Sequence, residues 1–159
     1  VIDETYLLDL LNSTPVVDGT QRDVLDGDWL RAHDGAGSAE ELAATREARD
    51  VLQALVRGDA EVHALAPLLA GVRKLASVTA QGVDWAVEVN APRRQAVRAV
   101  LAWDALRRAS PGRLRPCANA ECRLFLIDHS KPNKARWCSM AACGNRMKAR
   151  RHYERTRGA

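Results

Sequence analysis

Four cysteines, and no others, stand in the last third of this 159-residue chain: Cys117 and Cys122 in CANAEC, Cys138 and Cys143 in CSMAAC. They form two C-x4-C clips with 15 residues between them. Two sulfurs five positions apart can converge on one cation from a tight turn, and two such clips supply the four thiolates that tetrahedral Zn2+ prefers. One closed structural zinc site on Cys117, Cys122, Cys138 and Cys143 is therefore expected. Buried apolar thiols or redox cysteines would not call for paired spacing on both sides of an apolar run. Four thiolates also fill the coordination shell, so no position remains for a catalytic water. With no nucleophile–base pair elsewhere, the chain is not expected to be an enzyme.

The length suits one ordinary domain, or a small domain plus a metal-stabilised module, because zinc replaces a core that some 45 residues could hardly build. Aromatic residues make up only 4 % of the chain, so Ala, Leu and Val must fill the interior. Trp29, Trp85, Trp103 and Trp137 are read as core anchors. The net charge of +4 divides unevenly at Pro111-Gly112: residues 113–159 carry 12 Lys/Arg against 3 Asp/Glu, the remainder 12 against 17. A tail at +9 on a body at −5 points to a polyanionic partner for the tail, nucleic acid above all. No apolar stretch approaches the roughly 20 residues of a membrane span and no leader pattern opens the chain, so no membrane partner and a cytoplasmic location are expected. Val1 is not a methionine, which places the expected start of the protein upstream.

The body reads as mainly helical with one small hairpin, an α+β pattern. Leu7, Leu8, Leu10 and Leu11 give a first helical face that Pro15 closes. A short helix is expected around Trp29-Leu30. Ser38-Ala39-Glu40-Glu41 has capping-box form and opens a helix to Gly58. Asp59 is expected to cap a further helix that must absorb Pro67 by ending or kinking there. From Lys74 to Val89, period-two alternation on both sides of Gln81-Gly82 predicts a hairpin, and Asn90 with Pro92 begins a helix toward Ser110. Residues 1–110 are expected to form a separable body, and 113–159 the metal module.

Within that module, Leu124-Phe125-Leu126-Ile127 reads as a strand, 128–133 as a polar turn, and Arg136-Trp137 as the return to the second clip. Knuckle, hairpin, knuckle, helix is a treble-clef-like order, with Ser139 able to cap the helix. At about 100° per residue, Met147 and Glu154 continue the Cys143 seam, which would face the knuckles. Lys148, Arg151 and Arg155 line one flank, and Arg146, Arg150, Tyr153 and Arg157 the other. These cations, with Lys131, Lys134 and Arg136 on the hairpin, are the candidate nucleic-acid contacts. Asn145 and Arg146 are read equally as contacts or as braces of the knuckle. His129, in a turn without companion ligands, is read as a surface residue, and His33 and His63 as structural.

The run CANAECRLFLIDHSKPNKARWCSMAACGNRMKARRHYER closely resembles the CGNR-type zinc finger, named for Cys143-Gly144-Asn145-Arg146. More loosely, LLDLLNSTP, the Trp29-Leu30 segment and the order of elements in the body resemble the bacterial ABATE domain that commonly precedes such a finger. The resemblance implies a stress-induced bacterial transcription regulator with a zinc-bearing, DNA-binding tail. Two alternatives stay open: a zinc-scaffolded protein-interaction module, and an RNA-binding one. A homodimer and an unidentified effector ligand for the body also stay open.

Overall fold

The computed structural model describes residues 2–158. It is a mixed structure of helices and three separate two-stranded antiparallel ribbons. In chain order the elements are α1 (Glu4–Leu11), β1 (Val16–Val17), β2 (Thr20–Gln21), α2 (Gly27–Ala32), α3 (Ala39–Arg57), a 3-10 turn (Val62–Leu65) and α4 (Ala66–Leu69). There follow β3 (Arg73–Thr79), β4 (Gly82–Glu88), a second 3-10 turn (Ala91–Arg93), α5 (Arg94–Ala109), β5 (Leu114–Pro116), β6 (Phe125–Ile127), a π-helical turn (Met140–Gly144) and α6 (Asn145–Arg157). None of these helices is long and apolar enough to cross a membrane.

Contacts divide the chain into two compact units, residues 1–24 with 102–159, and residues 25–101. This cut differs from the one expected at Pro111-Gly112, and the reason lies at the end of α1. Asn12, held at the helix C-cap, donates from Nδ2 to the Phe125 carbonyl (3.2 Å) and accepts the Phe125 amide on Oδ1 (2.7 Å). Its carboxamide thus serves β6 as a one-residue strand partner. Tyr6, Leu7, Leu10 and Leu11 are buried in this unit, as are Trp103, Leu106, Phe125 and Leu126. Glu4 also pairs with His129 at 3.1 Å, so that surface histidine ties the same two segments.

In the other unit the Ser38 hydroxyl accepts the Glu41 amide (3.2 Å), but the Glu41 carboxylate reaches past the expected cap to the Gly37 amide (2.7 Å). α3 ends at Gly58, whose φ of 81° suits a residue without a Cβ. The helix expected from Asp59 does not form as one piece. Pro67 cannot donate to a preceding turn, so the segment breaks into the 3-10 turn and the four-residue α4, with Pro67 in its first turn. β3 and β4 pair from Arg73↔Glu88 to Thr79↔Gly82, one residue off the expected turn: Ala80-Gln81 makes the bend and Gly82 opens β4. All residues of this ribbon are exposed. Trp85, 57 % exposed, is therefore no core anchor; of the four tryptophans only Trp103 is buried.

Candidate metal centre and nucleic-acid face

Three rungs, Leu114↔Ile127, Arg115↔Leu126 and Pro116↔Phe125, hold the first clip between them. The expected strand over 124–127 is present, but its partner precedes the clip, and the return segment at Arg136-Trp137 forms no strand. Arg136 contributes one backbone bond instead, its carbonyl accepting the Ala118 amide at 2.7 Å. The Cys117 amide closes the knuckle on the Leu124 carbonyl (2.9 Å), and the Cys122 amide closes on Asn119 (2.9 Å). Buried Asp128 organises the loop beyond β6. It accepts the amides of Ser130 and Ala135 (both 2.8 Å) and faces Arg115 at 2.7 Å. The Ser130 hydroxyl, then these amides and the Arg115 guanidinium, hold the Asp128 carboxyl down at about 2 despite its burial.

On the second clip, Ser139 accepts the Ala142 amide on its hydroxyl (3.0 Å) and caps the π-helical turn that carries Cys143. This fulfils the capping role expected of it. A Cβ on Gly144 would stand 2.6 Å from the Met140 sulfur and 3.2 Å from the Trp137 ring, so the half-exposed Met140 side chain would have to shift to admit one.

The four sulfurs all lie within 4.8 Å of one another, Cys122 and Cys138 at 3.8 Å. Four thiolates at about 2.3 Å from a tetrahedral zinc would stand about 3.8 Å apart, so the cluster fits one Zn2+ closely. Burial pushes the Cys122 thiol up to about 11, and burial with hydrogen bonding from Cys143 raises Cys138 further. Burial also acts to raise Cys143, but hydrogen bonds led by Asn119 outweigh it and bring that thiol down. Asn119 was not among the residues singled out from sequence. It is 2 % exposed, donates from Nδ2 to the Cys143 sulfur (3.4 Å) and accepts the Glu121 amide on Oδ1 (3.1 Å). With the Cys138 amide directed at Cys117 (3.4 Å), it forms an outer shell that favours thiolate charge. The only hint in sequence was a polar residue inside the knuckle, which reads equally well as a turn former.

α6 leaves this centre quickly. Met147 is partly covered, but every described residue from Lys148 onward is exposed and the helix buries none. The seam expected to face the knuckles through Glu154 therefore ends after one turn. Asn145 and Arg146 are exposed and their side chains bond to no described residue, while the Asn145 backbone amide donates to the Ala142 and Met140 carbonyls of the turn that carries Cys143. Lys148 and Arg151 are likewise unpaired, while Arg150 meets Glu154 at 3.3 Å, Arg155 donates to the Arg151 carbonyl, and Arg157 lies 5.2 Å over the Tyr153 ring. Lys131, Lys134 and Arg136 are exposed on the loop after β6, with Arg136 stacked over Trp137 at 5.1 Å.

Residues 113–156 match the family model of the CGNR zinc finger. The match covers both clips, the hairpin and nearly all of α6, so the chain carries a zinc-binding finger of this kind at its C-terminal end. No curated protein matches the chain.

Proposed function

We propose that this protein is a bacterial transcription regulator that grips duplex DNA with α6, held out from a treble-clef-like module by one structural zinc ion. The observation that carries the reading is the exposure of α6. Six cations, Arg146, Lys148, Arg150, Arg151, Arg155 and Arg157, against Glu154 alone, ring a helix with no buried residue. A helix this short gains little from its own hydrogen bonds, and like charges at Arg146/Arg150 and Arg151/Arg155 oppose it. A polyanion removes that repulsion. Zinc fixes the start of the helix, and Lys131, Lys134 and Arg136 extend the positive surface. The remainder, residues 1–110, is assigned a regulatory role resembling that of an ABATE domain, in a cytoplasmic, non-enzymatic protein.

Binding to random duplex DNA across a salt series tests this. Log affinity should fall against log salt with a slope near −0.9 per phosphate contacted. Neutralising Lys148, Arg151 and Arg155 together should reduce the slope by up to about three units with zinc retained. Equal binding by the triple variant at every salt would remove α6 from the interface and favour a protein-interaction module.

A further inference from the structure

The cations of α6 are not spread evenly. At about 100° per residue, Lys148, Arg151 and Arg155 form one rail and Arg146, Arg150 and Arg157 another, separated by roughly 150° across the Cys143 side and roughly 210° across the opposite face. Between the rails, on the face turned from Cys143 and Met147, run Asn145, Ala149, His152 and Thr156. Their spacing of i, i+4, i+7 and i+11 keeps them in one line, and all four are exposed. No cation stands in that line. The Asn145 carboxamide and the His152 ring have no described partner. Thr156 spends its hydroxyl on the carbonyls of His152 (3.2 Å) and Tyr153 (2.9 Å), which leaves its methyl as the free group.

A helix lying along one phosphate strand needs positive charge on one flank only. Two rails with a neutral strip between them match a helix inside a groove, where two phosphate walls rise on either side of a floor of base edges. The major groove of B-form DNA, about 12 Å wide, admits a helix of about 10–12 Å diameter, and α6 carries no packed neighbour past Met147 to obstruct entry. The corresponding groove of an RNA duplex is too narrow and deep.

We propose, on the basis of the DNA-binding reading above, that α6 enters the major groove with Asn145, Ala149, His152 and Thr156 as its base-reading strip and the two rails on opposite phosphate walls. Asn145 has the carboxamide that pairs with adenine N7 and N6. The His152 ring can donate to a guanine acceptor, while Ala149 and the Thr156 methyl offer apolar contact to the thymine methyl. From Asn145 to Thr156 the strip rises about 16 Å, which spans about four to five base pairs.

The test is selection from a random duplex pool with the full, zinc-loaded chain, repeated with Asn145→Ala and Thr156→Ser. The parent should enrich a motif of about four to five base pairs. Asn145→Ala should lose discrimination at one position by about 5- to 150-fold, with the salt slope and zinc content unchanged. Replacing by uracil only the thymine whose recognition Thr156→Ser loses should weaken the parent and leave Thr156→Ser unaffected. The proposal is overturned if both variants select the parental motif, if the pool yields no motif although duplex binding keeps its salt slope, or if an RNA duplex binds more tightly than the selected DNA. Absence of duplex binding at every salt would instead bring down the DNA-binding reading itself, and the strip with it.

Discussion

The hairpins β5–β6 and β3–β4 share one ladder geometry and live in opposite surroundings. β5–β6 has three rungs, with Phe125 and Leu126 buried, four thiols at one end and the Asn12 carboxamide on its free edge. β3–β4 has seven rungs and no buried residue. Its support is cross-strand: Val78 faces Val83, Ala76 faces Trp85, Lys74 lies beside Val87, and Arg73 opposes Glu88. Two strands alone are marginal in water. Length therefore does not decide which ribbon is fixed; partners outside the ladder do, and the short ribbon has them.

Removing the metal should separate the two hairpins most sharply. Strong chelation, or Cys122→Ser, is expected to unfold β5–β6 and both knuckles, since metal binding by such modules supplies on the order of 10 kcal/mol of folding free energy. Amide exchange of β3–β4 should not change, because it belongs to the other compact unit. Zinc binding must strip the protons that burial holds on Cys122 and Cys138, so it should release protons at neutral pH and weaken as pH falls. A metal-free protein with an intact β5–β6 would abolish the contrast.

A smaller effect is expected from Asn119→Ala, which leaves four sulfurs but takes the carboxamide from Cys143. Zinc affinity, read by competition with a chromophoric chelator, should drop by about 10- to 100-fold. Unchanged affinity would reduce Asn119 to a turn former. Asn12→Ala strips both bonds from Phe125 and should cost about 1–3 kcal/mol in denaturant unfolding, with exchange quickening in β6 and not in β3–β4.

Much of the finger is legible in the sequence. The clips specify their metal through spacing alone, and the Ser139 cap and the 73–88 ribbon follow from local chemistry. What escaped was non-local. Leu114-Arg115-Pro116 has a single large apolar side chain and a proline, so nothing in it advertises a strand until Phe125–Ile127 lies beside it. Asn12 reads as an ordinary helix stop, and its bonding to a residue 113 positions away leaves no periodic trace. Trp85 misled for the opposite reason, since a large aromatic in an alternating strand normally implies a covering layer.

The smallest expected effect is at that tryptophan. Trp85→Ala should change stability by no more than about 0.5 kcal/mol, as for other exposed sites. A loss several times larger would show that β3–β4 has a partner in solution, and the two hairpins would then differ less than they do here.

The π-helical turn at Met140–Gly144 carries a consequence for the helix it feeds. A wide turn holds one residue more than an α-helical one, and each residue advances the helix by about 100°. The turn therefore sets the phase of α6 while the thiols stay in place. Removing one residue from it would rotate every later side chain together, bringing a cationic rail to where Asn145, Ala149 and Thr156 now stand. The chain could thus change which surface its last helix presents without altering a single residue of that helix.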